Sequence, residues 1–199
     1  MKHSYKNIFL LSALLIIASC TNSIKSNVTR FHQLPPPSGQ SIEVISINPA
    51  LQQSIEFGTY ADIIGEQLGK FGYTPPIGDK SHYVAEISYS IENARGVVVE
   101  SSSPFSVGVG VGGGSRRGTS VGMGISTSFG SGGRKEEYVN RLQMNIINLA
   151  TTERVFEGHA ENISNNPNLS QTMPFLINAM FENFPGESGA TNTVTVKPN

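Results

Sequence analysis

The chain has one cysteine, no tryptophan and little charge. A lone cysteine excludes an intramolecular disulfide and any cysteine-rich zinc or iron–sulfur site. Fourteen basic and 15 acidic residues leave a formal net charge of −1, which excludes a polybasic nucleic-acid binder acting through bulk charge. Hydrophobic residues (38%) and charged residues (15%) both fall below ordinary globular values, and glycine, serine and asparagine fill the difference. No apolar run reaches the roughly 20 residues that a membrane-spanning helix needs. At 199 residues the length is that of one ordinary domain.

The N-terminus reads as an export signal. Lys2, His3 and Lys6 form a short basic region, and Ile8 to Ala18 is apolar apart from Ser12. That stretch is too short to span a bilayer and right for a signal-peptide core. It ends in Ile17-Ala18-Ser19-Cys20, where a branched aliphatic and two small residues precede the only cysteine. This resembles the lipobox of bacterial lipoproteins, whose precursors are acylated on the cysteine and cleaved just before it. The resemblance implies removal of residues 1–19 by cleavage between Ser19 and Cys20, lipidation of Cys20, and an anchor of three acyl chains. At about 0.8 kcal/mol per buried CH₂ such an anchor is effectively permanent. Thr21 follows where an Asp would favour inner-membrane retention, so the expected location is the periplasmic side of the outer membrane. Residues 20–27 are polar and without periodicity, and are expected to be a flexible tether.

Beyond the tether, Val28 to Leu34 reads as a strand stopped by Pro35-Pro36-Pro37. Ser41 to Ile47 reads as a strand buried on both faces or bulged. Asn48-Pro49 is a helix-start pair, and Leu51, Ile55, Ala61, Ile64, Leu68 and Phe71 form one helical stripe. Gly58 and Thr59 weaken its beginning, so regular helix is expected from near Thr59, with Gly72 closing it. Tyr83 to Glu92 alternates, with Tyr83, Ala85, Ile87, Tyr89 and Ile91 on one face. Tyr138 to Ile147 and Val155 to Ile163 read as a further strand pair. Leu169, Met173, Leu176, Ile177, Met180 and Phe184 form a second helical stripe, capped by Ser170 or Thr172, with Pro174 tolerable in the first turn. Residues 186–199 are polar and expected to be a loose tail.

Between the strands lies a glycine-rich stretch, Phe105 to Gly133, holding 11 of the 21 glycines. Phe105, Val107, Val109 and Val111 alternate with Ser106, Gly108, Gly110 and Gly112. Val121, Met123, Ile125 and Phe129 alternate with Gly122, Gly124, Ser126 and Ser128. The pattern predicts a β-hairpin with Arg116 and Arg117 at its tip. Its Gly/Ser face is nearly bare backbone. Gly108, Gly110, Gly122 and Gly124 are therefore candidate partner contacts, where another strand, sheet or glycan could approach closely. Arg116 and Arg117 are candidate contacts to an anionic partner. Gly108-x-Gly110-x-x-Gly113 matches a dinucleotide fingerprint in letters only, because no helix follows it.

The order of elements predicts an α+β fold, an antiparallel sheet with two helices packed on one face. It resembles bacterial lipoproteins carrying the DUF4136 domain. The resemblance runs through Val28-Thr29-Arg30-Phe31-His32, Ser54-Ile55-Glu56-Phe57, Phe71-Gly72-Tyr73, Tyr83-Val84, Phe156-Glu157-Gly158-His159-Ala160 and Phe184-Pro185. It implies that residues 28–185 form one such domain, and it implies an envelope location, but no reaction. Family members often carry Trp where Phe156 stands and Asp where Asn148 stands.

No catalytic, cofactor-binding or metal-ligating set is legible. His32, His82 and His159 are not spaced as a zinc motif, and no serine lies in a Gly-x-Ser-x-Gly turn. The expectation is a non-catalytic, lipid-anchored envelope protein, membrane-bound through Cys20, that presents its domain for structural or partner-binding duty. The alternative is a small-ligand or glycan binder with its site between helix and sheet.

Overall fold

The computed structural model describes residues 23–78, 80–93 and 136–197. Six strands and two helices alternate as β1 (Ile24–His32), β2 (Ile42–Ser46), α1 (Ile55–Lys70), β3 (Tyr83–Asn93), β4 (Tyr138–Asn148), β5 (Arg154–Ser164), α2 (Leu169–Phe181) and β6 (Thr191–Val196). The strands form one sheet in the order β2-β3-β4-β5-β1-β6. The fold is α+β, as the element order predicted, with a mixed rather than purely antiparallel sheet. β2 runs parallel to β3 because the long connection through α1 permits a crossover, whereas every other pairing is antiparallel.

One face of the sheet and both helices enclose the core. Ala85 and Ile87 from β3, Leu142, Met144 and Ile146 from β4, Phe156 and Ala160 from β5, and Val28 from β1 are buried on that face. They meet Phe57, Tyr60, Ile64 and Leu68 of α1, which recur every three or four residues along its inner stripe. Leu169, Met173, Leu176, Ile177 and Met180 of α2 do the same. Each such aliphatic side chain taken from water contributes about 1.5–3 kcal/mol, so α2, apolar over most of its surface, is the keystone of the layer.

Local chemistry corrects several expected boundaries. α1 begins at Ile55, not near Thr59, because the Ser54 hydroxyl accepts the Phe57 amide at 3.0 Å and fixes the first turn. Asn48-Pro49 instead makes a short turn, in which Asn48 accepts the Ala50 amide through its side chain and the Leu51 amide through its carbonyl. α2 is preceded by Asn168, not capped by Ser170 or Thr172. The Asn168 side chain takes the Ser170 hydroxyl at 2.7 Å, and Thr172 donates back to the Asn168 carbonyl. Pro174 consequently falls in the second turn.

Two segments expected to be loose are strands. β1 starts at Ile24, inside the stretch 20–27 read as tether, because residues 24–29 pair with β6. That partner strand, Thr191–Val196, lies in the stretch 186–199 read as a tail, and it half-buries Val194 and Val196 against the core. Neither pairing is visible locally, since it joins residues more than 160 positions apart. The glycine-rich hairpin falls outside the described residues.

A buried arginine closes the far end of α2. Arg30 is 3% exposed on the core face of β1. Its Nε donates to the Met180 carbonyl at 3.1 Å, and its Nη2 donates to those of Ala179 and Glu182 at 2.9 and 2.8 Å. Burial pulls its pKa down and the nearby Glu182 pulls it back up, but a guanidinium stays charged throughout. A cation on the orphan carbonyls of a helix C-terminus suits both their lone pairs and the helix dipole.

Candidate functional site

Both helices pack on the Val28 face, so the opposite face of the central strands carries the polar half of each alternation. The register places Ser88, Gln143, His159, Thr29 and Thr191 on one rung across five strands, and Ser90, Arg141, Glu161, Asn27 and Thr193 on the next. These rungs line a shallow concavity of about 560 Å³, walled by side chains of β3, β4, β5, β1 and β6.

Its ions are already matched. Arg141 pairs with Glu92 through Nη1 and lies 3.5 Å from Glu161 through Nε. The Glu92 hydrogen bond is the main reason its pKa rises. His159 Nε2 meets Glu157 Oε1 at 3.1 Å, and Arg154 Nη1 donates to Glu157 Oε2 at 3.2 Å. The imidazole first, then the guanidinium, holds the Glu157 carboxyl below the usual carboxylate range. Beside these ions, on β1 and β6, lie hydroxyls and amides, such as the Thr29–Thr191 hydroxyl pair at 2.7 Å and Thr193 donating to Asn27 at 3.0 Å. Ser88 and His159 are separated by the strand that carries Gln143, about 10 Å at ordinary strand spacing, so no serine–imidazole relay forms across this face. The chemistry on offer is hydrogen bonding to a polar partner through fixed, neutralised groups.

The other histidines sit apart. His32 Nε2 lies 3.0 Å from the Gly186 carbonyl, at the end of β1. His82 Nδ1 is 2.8 Å from the Ser41 hydroxyl, a nucleophile–base pairing in outline. The Ser41 amide donates to the same Nδ1 at 3.2 Å, and the His82 amide donates to the Ser41 oxygen. The ring lone pair is therefore shared with a backbone donor. The pair clips Ser41, itself buried, to the start of β3 rather than presenting a nucleophile. Among the described residues no group of three His, Cys, Asp or Glu side chains could hold a metal ion.

One rung of the core face is polar. Ser26, Asn162 and Asn140 lie side by side on β1, β5 and β4, all buried. Asn162 Nδ2 donates to the Lys25 carbonyl at 2.6 Å, but Ser26 Oγ, Asn162 Oδ1 and Asn140 Oδ1 have no partner among the described residues. An unmatched buried polar group costs about 1–3 kcal/mol. Asn140→Leu, which removes the most deeply buried of the three, is accordingly expected to raise the unfolding free energy by about 1 kcal/mol. Urea denaturation of the two proteins, with the same m-value, checks it.

The residues singled out from sequence, Ser19, Cys20, Gly108, Gly110, Arg116, Arg117, Gly122 and Gly124, all lie outside the described residues. The polar rungs were not singled out. Their residues stand on wet faces of recognisable strands, yet which of them share a rung depends on β1 lying next to β5, a pairing that no local pattern announces.

The model of the family described as "Domain of unknown function (DUF4136)" matches residues 25–186. No curated protein matches the sequence. A PDZ domain protein from Parabacteroides distasonis superposes with a TM-score of 0.53 at 12% identity, over 89% of this chain and 40% of its own. This chain thus spans well under half of that protein, and the likeness is one of fold. The PelC dodecamer from Paraburkholderia phytofirmans superposes with a TM-score of 0.41 at 12% identity, over 76% of this chain and 91% of that one.

Proposed function

The chain belongs to the DUF4136 family, and from that premise we propose that it is a non-catalytic, lipid-anchored protein of the bacterial cell envelope whose open sheet face binds a polar partner. The observation that carries the reading is the 560 Å³ concavity, floored by backbone and rimmed by paired ions, hydroxyls and amides. Such a surface offers many directional hydrogen bonds and no poised base or nucleophile. It suits an extended or flat partner better than a small apolar ligand, which needs a deep apolar pocket. The anchor is Cys20, assigned by the lipobox Ile17-Ala18-Ser19-Cys20 just ahead of the domain. The outer membrane is its expected home.

A glycan is the second reading, and one residue favours it. Phe31 is 53% exposed on the same face as Thr29, two residues along β1, where an aromatic ring can stack on a sugar. The site would then be the open face, not the space between helix and sheet.

Two variants test the proposal in cells. Cys20→Ala is expected to leave an uncleaved precursor that retains residues 1–19 and incorporates no labelled fatty acid. A photo-crosslinker at Ser90 in the wild-type background is expected to capture a partner. In an Arg141→Ala, Gln143→Ala background, with anchoring intact, that yield is expected to fall roughly tenfold, the equivalent of one well-made contact. A mature chain that begins elsewhere than Cys20 overturns the anchor. Crosslinking unchanged by the Arg141/Gln143 variant overturns the binding face. Capture of glycan rather than protein favours the second reading.

A further inference from the structure

We infer that one end of the sheet, the end carrying Ile24, Asn93, Tyr138 and Ser164, lies against the bilayer surface and that the strands stand away from it. The inference rests on acylation of Cys20 as proposed above and adds the side from which the domain meets the lipid.

The register aligns five strand ends. Asn93 pairs with Tyr138, and Tyr138 with Ser164. The β1–β5 pairing, Asn27 opposite Glu161, continues antiparallel to bring Ile24 opposite Ser164. Ile24 also pairs with Val196. One line across the molecule therefore holds the entry of β1, both stems of the segment between β3 and β4, the exit of β5 and the exit of β6.

The chain outside the domain is short. Because β1 begins at Ile24, four residue spans separate it from Cys20, and these reach at most about 14 Å when fully extended. An acylated Cys20 sits at the headgroup layer, so Ile24 cannot rise further than that above it. The opposite ends of β4 and β5 are about 33 Å away along the 11-residue strands, beyond any reach of the tether. An eight-residue flexible tether would have allowed a free domain, but a strand that starts at Ile24 does not.

The side chains at this end suit a lipid surface. β2 runs toward it alongside β3 and stops at Ser46, opposite Ile87, so α1 begins short of the line, and Ile55, its first residue, is 91% exposed. Ile163, one rung in from the line, is 61% exposed. Both are large aliphatics that no described residue covers. The exposed charges described at this end are Lys25 and Lys197 on one side of the balance and Glu136 and Glu137 on the other. The domain is held there by the tether and by shallow apolar contact.

The test uses the acylated full-length protein in phosphatidylcholine vesicles that contain a headgroup-nitroxide lipid. The thioether of an acylated Cys20 leaves no free thiol, so a cysteine introduced by Ile163→Cys or by Thr151→Cys takes one fluorophore at a chosen end. Both positions are exposed, and neither change disturbs the core. The Ile163→Cys label is expected to be quenched at least about threefold more than the Thr151→Cys label, since about 30 Å of strand separates them. The difference should persist in high salt. Equal quenching, or stronger quenching at position 151, on vesicle-bound protein overturns the orientation. Protein that fails to float with the vesicles overturns the anchor itself, and the orientation with it.

Discussion

Arg30→Met is expected to lower the unfolding free energy by about 3–5 kcal/mol, because it strips partners from several buried carbonyls at once. Methionine keeps the aliphatic stem and most of the volume, so the loss measures hydrogen bonding and charge rather than packing. The carbonyls of Ala179, Met180 and Glu182 all turn to this one guanidinium. Ala179 and Met180 lie in the last turn of α2, the helix that covers the centre of the sheet, Glu182 follows its end, and no water can replace a side chain that is almost wholly buried. Gly186 closes over the same group. With φ at +80° and a Cβ site 2.9 Å from Nη1, it admits no side chain while Arg30 is in place. Arg30→Lys should recover only part of the loss, since an ammonium is a point donor and cannot span three acceptors as the planar fork does. Thermal melts followed by far-ultraviolet circular dichroism check both. At about 2–4 °C per kcal/mol for a chain of this size, the methionine variant should melt roughly 10 °C lower. A shift below about 2 °C would mean that the helix end is satisfied without the arginine.

Arg30 shows where sequence reading reaches and where it stops. Alternation along β1 puts Ser26, Val28, Arg30 and His32 on one face, and Val28 marks that face as the core. The side of Arg30 was therefore legible. Its role was not, because its partners lie 149 to 152 residues away on a helix whose placement over β1 follows from strand order. The same holds for the sheet. β3, β4, β5 and both helical stripes could be read from period alone, each being long and strongly patterned. The parallel placement of β2, the pairing of β1 with β5 and the existence of β6 are non-local events, and the polar rungs of the open face exist only once those pairings are made. Ser54 is the intermediate case. Its capping bond to Phe57 is local, and a serine three residues ahead of a buried aromatic was available as a signal. Asn48-Pro49 offered a competing start, and the turn there uses the same asparagine chemistry for a different end.

Gly158→Val is expected to cost about 3 kcal/mol, at the upper end of what overpacking a core does. Gly158 sits on the core face of β5 between Arg30 and Met144, directly beneath α2. A Cβ built there would lie 2.6 Å from Met180 Sδ and 2.7 Å from Phe156 Cε1, distances that real contacts do not reach. The two neighbours differ in how they can respond. Met180 is flexible and can swing its thioether aside. Phe156, two residues earlier on the same strand, lays its ring over the glycine and is itself wedged against Phe184 at 5.0 Å between centroids. Its ring is 0% exposed and has nowhere to go. Gly158→Ala should therefore remain destabilising, by about 1–2 kcal/mol, even after the methionine yields. A double-mutant cycle separates the two contributions. Met180→Ala alone opens a cavity and should cost about 2–3 kcal/mol, yet added to Gly158→Ala it should cost less, giving a favourable coupling of about 1 kcal/mol. Strict additivity would show that the sheet, not the helix, absorbs the extra carbon, and that the close approach of α2 to β5 is not what keeps this position a glycine.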